Sequence, residues 1–423
     1  MDRLSADDAH ILALESATVT GQTMHLIVLE PGPTLNEDAL GAAVAQRLGS
    51  QPRATERVDT SGPEPRWVEA TEFDIGDHVR RTPSACATQA DLWRAAGTLM
   101  SEHLDRSRPL WTFDVVGPLV DGREAIAVRI HHAMADGITS LRFLDAVLWD
   151  PHADPASPKA PPRDRSATTK HPRLSEAWGM PGAALRELGH LGSPSPFDRP
   201  ITISRELAFT VLPLAELKAI GAERPIHATV NDVLLGVVAG GLRRWLSSDS
   251  ATLPHLRAQV PVSLHYRDEA ADDLGNRDSF LNVDLPLAEA DPLARIDRVT
   301  AETRKRKISG DAEEMYDLFH ALGRMKHLGR AAERLAGSAR EFGVSISNVP
   351  GPAAPVSVAG RGVQDFFCTS EPAAHHALRI SSLSCAGELG IGLCTDPTAL
   401  PGVARLAESI ESSYAEIRDA ASV

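Results

Sequence analysis

Cysteine and aromatic residues are scarce in this chain. Its 423 residues include only four cysteines and 4% aromatic residues. Cys86, Cys368, Cys385 and Cys394 show neither CxxC spacing nor a zinc-ligand pattern, and four cysteines are too few for a disulfide scaffold. We therefore expect a reduced, cytoplasmic protein without a metal site.

The sequence also lacks an apolar run long enough to cross a bilayer. The longest run, Val233–Leu242 (VLLGVVAGGL), falls well short of the roughly 20 residues that a spanning helix needs. Residues Met1–His10 lack the apolar centre of a signal peptide. We expect any contact with a membrane to be peripheral and at its inner face.

Positive charge is in deficit. The formal net charge of −14 and the pI near 5.6 create a field that repels polyanions, which argues against nucleic acid as a partner. With 43% hydrophobic and 24% charged residues, the chain has the composition of a globular protein with sizeable cores. Its length favours two domains over one.

A segment rich in proline and charge, residues 151–200, predicts a linker or surface crossover. It separates an N-terminal half, residues 1–150, from a C-terminal half, residues 201–423. Both halves mix strand-like with helix-like patterns, so we predict an α/β or α+β fold. The predicted strands include MHLIVLE, EAIAVRI, LRAQVPVS and FLNVDLPL, and the predicted helices are Glu37–Leu48, Ala87–Leu104, Ile138–Leu148, Val230–Leu246 and Ala312–Glu341.

The most informative pattern is EAIAVRIHHAMADGITSLRFLDAVL, in which an alternating strand runs into two histidines, Asp-Gly and an amphipathic helix. Extended geometry sends His131 and His132 to opposite sides, so only one of them can face a given cavity. A neutral imidazole there can take a proton from an alcohol during attack on a carbonyl. Asp136 could orient a ring or pair with an arginine, and Gly137 would leave room for substrate and permit a tight turn.

Other interpretations of a histidine pair are a structural role and metal binding. The second pair, His375-His376, precedes ALRISS without Asp-Gly, and we interpret it as structural. No HExxH motif or cysteine cluster completes a metal site. A general base is therefore the favoured role for the first pair.

HHAMADG resembles the signature of acyl-CoA-dependent acyltransferases, a superfamily that includes chloramphenicol acetyltransferase and peptide-synthetase condensation domains. More specifically, the chain resembles the bacterial wax ester synthase/diacylglycerol acyltransferase family. The other matching segments follow the family's order along nearly the whole chain: LSADDAH near the start, MHLIVLE, RPLW at Arg108–Trp111, NDVLLGVVAGGLRRWL from Asn231, VPVSL from Val260, LGNRDS from Leu274 and SNVPGP from Ser347.

The resemblance implies two chloramphenicol acetyltransferase-like halves with mixed sheets and an active-site channel between them. The catalytic candidates are then His132 as general base, His131 beside it, and Asp136, which the family makes mainly structural. Gly137 would keep the channel open for substrate.

Two further pairs become candidate substrate-binding residues through the resemblance, Asn231-Asp232 and Gly275-Asn276. Either asparagine could supply the donor for a tetrahedral oxyanion. Without the resemblance, capping or turn formation explains both, and Thr229 with Asp232 is a good helix start.

The implied reaction transfers a long-chain acyl group directly from acyl-CoA to diacylglycerol or a fatty alcohol, giving triacylglycerol or wax ester. Acyl-CoA is a co-substrate, and no cofactor is implied. We expect a monomer or homodimer, with a membrane or lipid-droplet surface as a further partner. The basic run Arg304–Lys307 could face the phosphates of acyl-CoA, although a solvated helix face explains it better.

The chain departs from its relatives at two places. His265 stands where they commonly carry an arginine, with Arg267 two residues later, so the partner of Asp136 is open. Cys385 stands where they often carry tyrosine, which bears on acceptor choice. Two alternatives therefore stay open: transfer to a non-lipid hydroxyl or amine, and a silent homologue that only binds acyl chains.

Overall fold

The computed structural model describes residues 2–83, 86–151, 195–248, 253–263, 278–308 and 342–422. Its strands in these ranges are β1 Asp2–Arg3, β2 Gln22–Leu29, β3 Glu56–Asp59, β4 Arg66–Glu69, β5 Val79–Arg81, β6 Trp111–Val116, β7 Glu124–His131, β8 Glu206–Pro213, β9 Leu256–Ser263, β10 Asp278–Leu285, β11 Val344–Pro350, β12 Ser357–Val358, β13 Arg361–Ser370, β14 Leu378–Cys385 and β15 Glu388–Thr395.

The α-helices in the described ranges flank these strands. They are α1 Ala6–Leu14, α2 Glu37–Ala45, α3 Gln89–Met100, α4 Gly137–Val147, α5 Leu214–Ala222, α6 Val230–Ser248, α7 Pro292–Ile308 and α8 Val403–Ala421, with short 3-10 turns at Leu48–Ser50, Pro52–Thr55 and Ile75–Asp77.

Two six-stranded mixed sheets organise the fold. The first has the order β12-β13-β2-β7-β6-β5, and the second β10-β9-β11-β14-β15-β8. The β5–β6, β9–β11 and β11–β14 pairs are parallel, and the other pairs are antiparallel. The predicted mixed α/β architecture is confirmed. A small third sheet, β1-β4-β3, contributes Val58 and Trp67 to a core that it shares with the first sheet.

The first sheet is not built from the N-terminal portion alone. Strands β12 and β13, residues 357–370, come from the C-terminal portion and complete it at one edge, where β13 pairs with β2 over Val363–Ser370. The proposed boundaries at residues 150 and 201 therefore do not separate the two sheets. Most of the linker, residues 152–194, lies outside the described residues.

Strand β7 has a clean alternation because both of its faces are buried. Ile126, Val128 and Ile130 belong to the core under α2 and α4, whereas Ala125 and Ala127 face the opposite core. That opposite core also contains buried side chains of α3, β8 and β13. It is therefore shared by the two halves and fixes one against the other.

Glycines allow β15 to lie directly on β13. A Cβ at Gly390 would stand 2.4 Å from the Phe366 carbonyl oxygen, and one at Gly392 would stand 2.2 Å from that of Cys368. Both distances are too short for any side chain, so the two sheets can approach this closely only where these residues are glycine. The second sheet thus reaches the edge of the first next to strand β2.

The predicted elements within the described residues have close counterparts. LRAQVPVS coincides with β9, and the helix predicted at Val230–Leu246 is α6, which is two residues longer at its C-terminal end. The capping box also forms, since the backbone N–H of Thr229 donates to Asp232 Oδ2 at 2.8 Å and that of Asp232 donates to Thr229 Oγ1 at 3.2 Å. The predicted helix at residues 312–341 lies outside the described residues.

Across the ranges that the structure describes, none of the helices combines the length and the apolar character that crossing a bilayer would require.

Candidate active site

The histidine pair lies where β7 ends, and its backbone is held from both sides. The His131 N–H donates to the Leu110 carbonyl at 3.0 Å, and the His132 N–H donates to the Gly21 carbonyl at 2.8 Å. Leu110 belongs to RPLW and directly precedes β6, while Gly21 directly precedes β2. These hydrogen bonds to the residues before β6 and β2 therefore fix the backbone position of both histidines at the end of β7.

A tight turn then connects the pair to α4. The N–H groups of Met134 and Ala135 both donate to the His131 carbonyl, at 2.8 and 3.3 Å. Asp136 is buried and is the N-cap of α4, where its Oδ1 accepts from the Thr139 N–H at 2.7 Å. This cap supports the mainly structural role that the resemblance gave to Asp136.

His131 has the surroundings of a structural residue. Its Nδ1 accepts from the Ala133 N–H at 3.0 Å, and its Nε2 lies 3.3 Å from Glu15 Oε2. A Cβ at Gly21 would stand 2.2 Å from that Nε2, so the ring can pack this closely only against a glycine, here one with a φ of +70°. The ring is therefore engaged by Ala133 and Glu15, and the catalytic part considered for it from the sequence stays a prediction.

His132 is half-buried, and its electrostatic surroundings keep it neutral. Its pKa is lowered to about 4, mainly by desolvation and then by the charges of Arg379 and His131, while the charge of Asp136 opposes them. A neutral imidazole keeps one ring nitrogen unprotonated, which is the form that a general base needs. Arg379, whose charge lowers the pKa of His132, is on β14 of the second sheet.

A second buried histidine belongs to the same environment. Burial lowers the pKa of His25 to about 4, with a contribution from the charge of His132. The Ser140 hydroxyl donates to the Gly137 carbonyl at 3.0 Å, so at 2.8 Å it accepts from His25 Nε2. His25 is directly opposite Cys368 on β13.

The cysteines near this environment are not nucleophiles. Burial raises the pKa of Cys368 to about 12 and that of Cys385 to about 11. Thiols with such pKa values stay protonated at neutral pH, and only the thiolate attacks a thioester efficiently. Cys385 ends β14 and packs against the core of the first sheet.

Gly137 touches the second half of the molecule. A Cβ there would stand 3.1 Å from Val349 Cγ2, on strand β11 in the SNVPGP segment. The φ of Gly137 is not positive, so the tight turn predicted for it is not what requires glycine. The requirement is space beside β11.

Of the two proposed substrate-binding pairs, the structure describes Asn231 and Asp232. Asp232 is buried, and besides the cap its Oδ1 accepts from the Thr303 hydroxyl at 2.6 Å, which ties α6 to α7. Asn231 is half-buried in the first turn of α6. Gly275, Asn276, His265 and Arg267 lie outside the described residues.

Two other sequence interpretations agree with the structure. His376 is buried, stacks on Phe342 with ring centroids 4.1 Å apart, and has Nδ1 3.4 Å from Asp198, as a structural histidine would. The basic run ends α7, with Arg304, Lys305 and Lys307 exposed. Within the described ranges, no three side chains of His, Cys, Asp and Glu converge as metal ligands would.

Sequence reasoning missed three participants in this site: Glu15, His25 and Arg379. His25 lies in MHLIVLE and Arg379 in ALRISS, segments that were assigned no chemical role. Arg379 could not have been found from periodicity, because it approaches His132 only through the packing of two sheets.

Comparisons with known proteins agree along the chain. Residues 4–192 match the wax ester synthase/diacylglycerol acyltransferase catalytic domain, and residues 274–418 match the C-terminal domain of the same family. A putative diacylglycerol O-acyltransferase of Mycobacterium tuberculosis is 32% identical over 385 residues, covering 81% of this chain and 75% of the relative. A probable diacylglycerol O-acyltransferase of the same species is 29% identical over 99% of this chain and 96% of the relative.

Solved structures support the same fold. The wax ester synthase/diacylglycerol acyltransferase from Marinobacter aquaeolei covers the whole of both chains with a TM-score of 0.73 at 21% identity. The first condensation domain of the calcium-dependent antibiotic synthetase superposes with a TM-score of 0.62 at 16% identity, over 99% of this chain and 96% of that one. The chain belongs to the wax ester synthase/diacylglycerol acyltransferase family and is an acyltransferase.

Proposed function

We propose that this enzyme transfers a long-chain acyl group from acyl-CoA to the hydroxyl of diacylglycerol or a fatty alcohol, with His132 as the general base. The observation that carries this is a neutral, half-buried imidazole whose pKa is lowered by burial and by the charge of Arg379 on the opposite sheet. The turn after His132 also packs against β11 of that sheet at Gly137, so two substrates entering from different sides could meet at this nitrogen base.

The proposed step is a direct displacement. His132 takes the proton of the acceptor hydroxyl while its oxygen attacks the thioester carbonyl, giving a tetrahedral oxyanion. The oxyanion collapses, the C–S bond breaks, and the imidazolium returns the proton to the CoA thiolate. No cysteine intermediate is needed, which agrees with the raised pKa values of Cys368 and Cys385.

The oxyanion requires a preorganised hydrogen-bond donor, worth about 3 to 4 kcal/mol in comparable sites. We propose Asn231 or Asn276 for this role, as the resemblance suggests. Asp232 is better explained as a cap and as the link to Thr303, because both of its oxygens already accept hydrogen bonds.

The acceptors of this reaction are poorly soluble in water. We therefore propose that the enzyme collects them as a peripheral protein at the surface of a membrane or lipid droplet. The relatives that carry diacylglycerol O-acyltransferase names support diacylglycerol as the first acceptor to test.

The test supplies purified enzyme with radiolabelled palmitoyl-CoA and a panel of acceptors: dioleoylglycerol, hexadecanol, short alcohols and primary amines. We expect labelled triacylglycerol or wax ester, and we expect His132→Ala to reduce turnover by about 10² to 10⁴-fold. Circular dichroism and urea unfolding of the variant would show that the fold is retained.

Three results would decide against parts of the proposal. Transfer to amines alone would contradict the lipid acceptor, and unchanged turnover in His132→Ala would contradict the base. Binding of acyl-CoA without any transfer by the parent enzyme would indicate a silent homologue.

A further inference from the structure

Glu15 lies at the end of α1 and faces three nitrogen-bearing side chains at once. Its Oε2 lies 2.8 Å from Arg106 Nη2 and 3.3 Å from His131 Nε2, and its Oε1 lies 2.9 Å from His103 Nδ1. The carboxylate side chain is only 12% exposed. Burial by itself would raise the pKa of Glu15, but these three neighbours hold it below its usual value. Glu15 is therefore a carboxylate at neutral pH.

The tautomer of His131 follows from its other contact. Because Nδ1 accepts the Ala133 N–H, the ring proton of a neutral imidazole must be on Nε2. That Nε2 is buried and has no well-aligned hydrogen-bond partner among the described residues. The approach to Glu15 at 3.3 Å is bent, yet Glu15 is the acceptor that compensates the burial of this N–H.

The ring of His131 cannot turn without disturbing the residue beside it. Rotation would break the Ala133 contact, and the Ala133 N–H belongs to the same turn that places His132. The backbone of Gly21, which has no Cβ, packs closely against the Nε2 edge of the ring, and the Gly21 carbonyl accepts the backbone N–H of His132. One short segment of the N-terminal chain thus contacts both histidines.

A second carboxylate keeps that segment in place. Glu371, which follows β13, accepts from the backbone N–H of Gly21 and from the N–H and hydroxyl of Thr20 at 2.6 and 2.9 Å. Glu15 and Gly21 are thereby fixed independently, one by Arg106 and the other by Glu371. The histidine pair sits between these two fixed points.

We propose that Glu15 is a positioning residue for the general base, acting through His131 to hold the turn that presents His132. This inference rests on the proposed function of His132, and it gives a part in catalysis to α1, which begins within the LSADDAH segment. Glu15 contributes by keeping the imidazole of His132 in a productive orientation, without contacting substrate.

The main test is a double-mutant cycle on the Glu15–His131 contact. Asparagine at 131 keeps an acceptor for the Ala133 N–H but cannot reach Glu15. We therefore expect Glu15→Ala and His131→Asn each to lower kcat by about 10- to 100-fold, as misplacement of a catalytic group by about 1 Å does. The double variant should lose no more than the larger single effect, because both changes remove one contact.

Conservative variants separate positioning from folding. Glutamine at 15 keeps an oxygen for His131, so we expect Glu15→Gln to recover most of the kcat that Glu15→Ala loses, with KM for acyl-CoA altered less than about threefold. Glu289→Ala is the matched control, because Glu289 is 17% exposed and pairs with Arg298 at 2.7 Å in the other half. It should leave kcat unchanged.

A spectroscopic readout keeps this test separate from the proposed reaction. In ¹⁵N-histidine-labelled protein, His131 should show a protonated Nε2, and Glu15→Ala should shift the His132 resonances. If the parent transfers no acyl group while these shifts appear, the proposed function fails and the contact stands. The positioning role would be overturned if the losses of kcat in the two single variants were additive in the double variant. It would also be overturned if Glu15→Ala left the His132 resonances unchanged.

Discussion

At the scale of single residues, the site depends on removing water from two imidazoles. His25 and His132 both have pKa values near 4, and for each of them desolvation is the largest cause. The interior disfavours the charged ring more than the neighbouring Asp136 can favour it. His132 is therefore ready to accept a proton at any physiological pH, without a shift of protonation on substrate binding.

This pKa predicts the pH dependence of activity. A general base works only when unprotonated, so kcat/KM should fall as pH drops through the pKa of His132 in the free enzyme. We expect this acid limb near pH 4, well below the value of about 6.5 for an ordinary histidine. As a control against acid unfolding, samples returned to pH 7 should regain full activity. A reversible fall of kcat/KM near pH 6.5 would contradict the prediction and show that the His132 ring is solvated.

Stability should depend on pH through the same burial. The unfolded chain takes up a proton at His25 below about pH 6.5, whereas the folded protein does so only near pH 4. Between pH 6.5 and pH 4, the free energy of unfolding should therefore decrease as the pH is lowered, by about 1.4 kcal/mol per pH unit for each such histidine.

Urea unfolding at pH 7, 6 and 5 would measure that slope. His25→Gln keeps a nitrogen for Ser140 but cannot titrate, so its slope should be smaller by about one histidine's share. Parallel slopes for parent and variant would show that His25 is accessible to protons in the folded state.

At the scale of elements, two adjacent residues in the first turn of α6, Asn231 and Asp232, have different surroundings. Asp232 is occupied by the cap of α6 and by Thr303 on α7, whereas Asn231 next to it is half-buried. Adjacent helix positions point about 100° apart, so a structural and a functional side chain can share one turn.

Matched alanine variants should separate these two roles. Asp232→Ala removes the cap and the Thr303 contact, and we expect it to lower the free energy of unfolding by about 1 to 3 kcal/mol. Asn231→Ala should leave stability within about 0.5 kcal/mol. If Asn231 donates to the oxyanion, its loss should lower kcat by about 10² to 10³-fold. An Asn231→Ala variant with normal kcat would leave that role to Asn276.

The crossing of β15 over β13 gives a second prediction for elements. A methyl group at Gly392 would stand 2.2 Å from a backbone oxygen, which cannot move aside without shifting β13. We expect Gly392→Ala to cost about 1 to 3 kcal/mol of unfolding free energy. Gly49→Ala is the control, because nothing lies within 4 Å of its added Cβ. Equal urea midpoints for both variants would contradict the close crossing.

At the scale of the whole molecule, the two halves are interlocked. Strands β12 and β13 from the C-terminal portion complete the first sheet, and α3 from the N-terminal portion packs in a core with β8 of the second. A Cβ at Gly97 on α3 would stand 2.7 Å from the Arg205 carbonyl oxygen, just before β8. We expect neither half to be stable alone, and truncation at residue 200 should yield insoluble protein.

The sequence by itself determined the local features. The alternation of β7, the capping box of α6 and the Asp-Gly start of α4 are set by neighbours within a few residues, where period and capping chemistry act. The order of family segments predicted the mixed α/β fold and the acyltransferase family, which the structure and the comparisons confirm.

Only the tertiary structure decided which side chains surround His132. Arg379 is about 250 residues away in the chain and His25 about 110, and both reach the site through sheet pairing and packing that no local pattern encodes. The contact of the His131 ring with Glu15 also depends on tertiary structure, because it requires the end of α1 to pack beside β7. Local propensity acts over a few residues, whereas burial and charge act between residues that folding brings together.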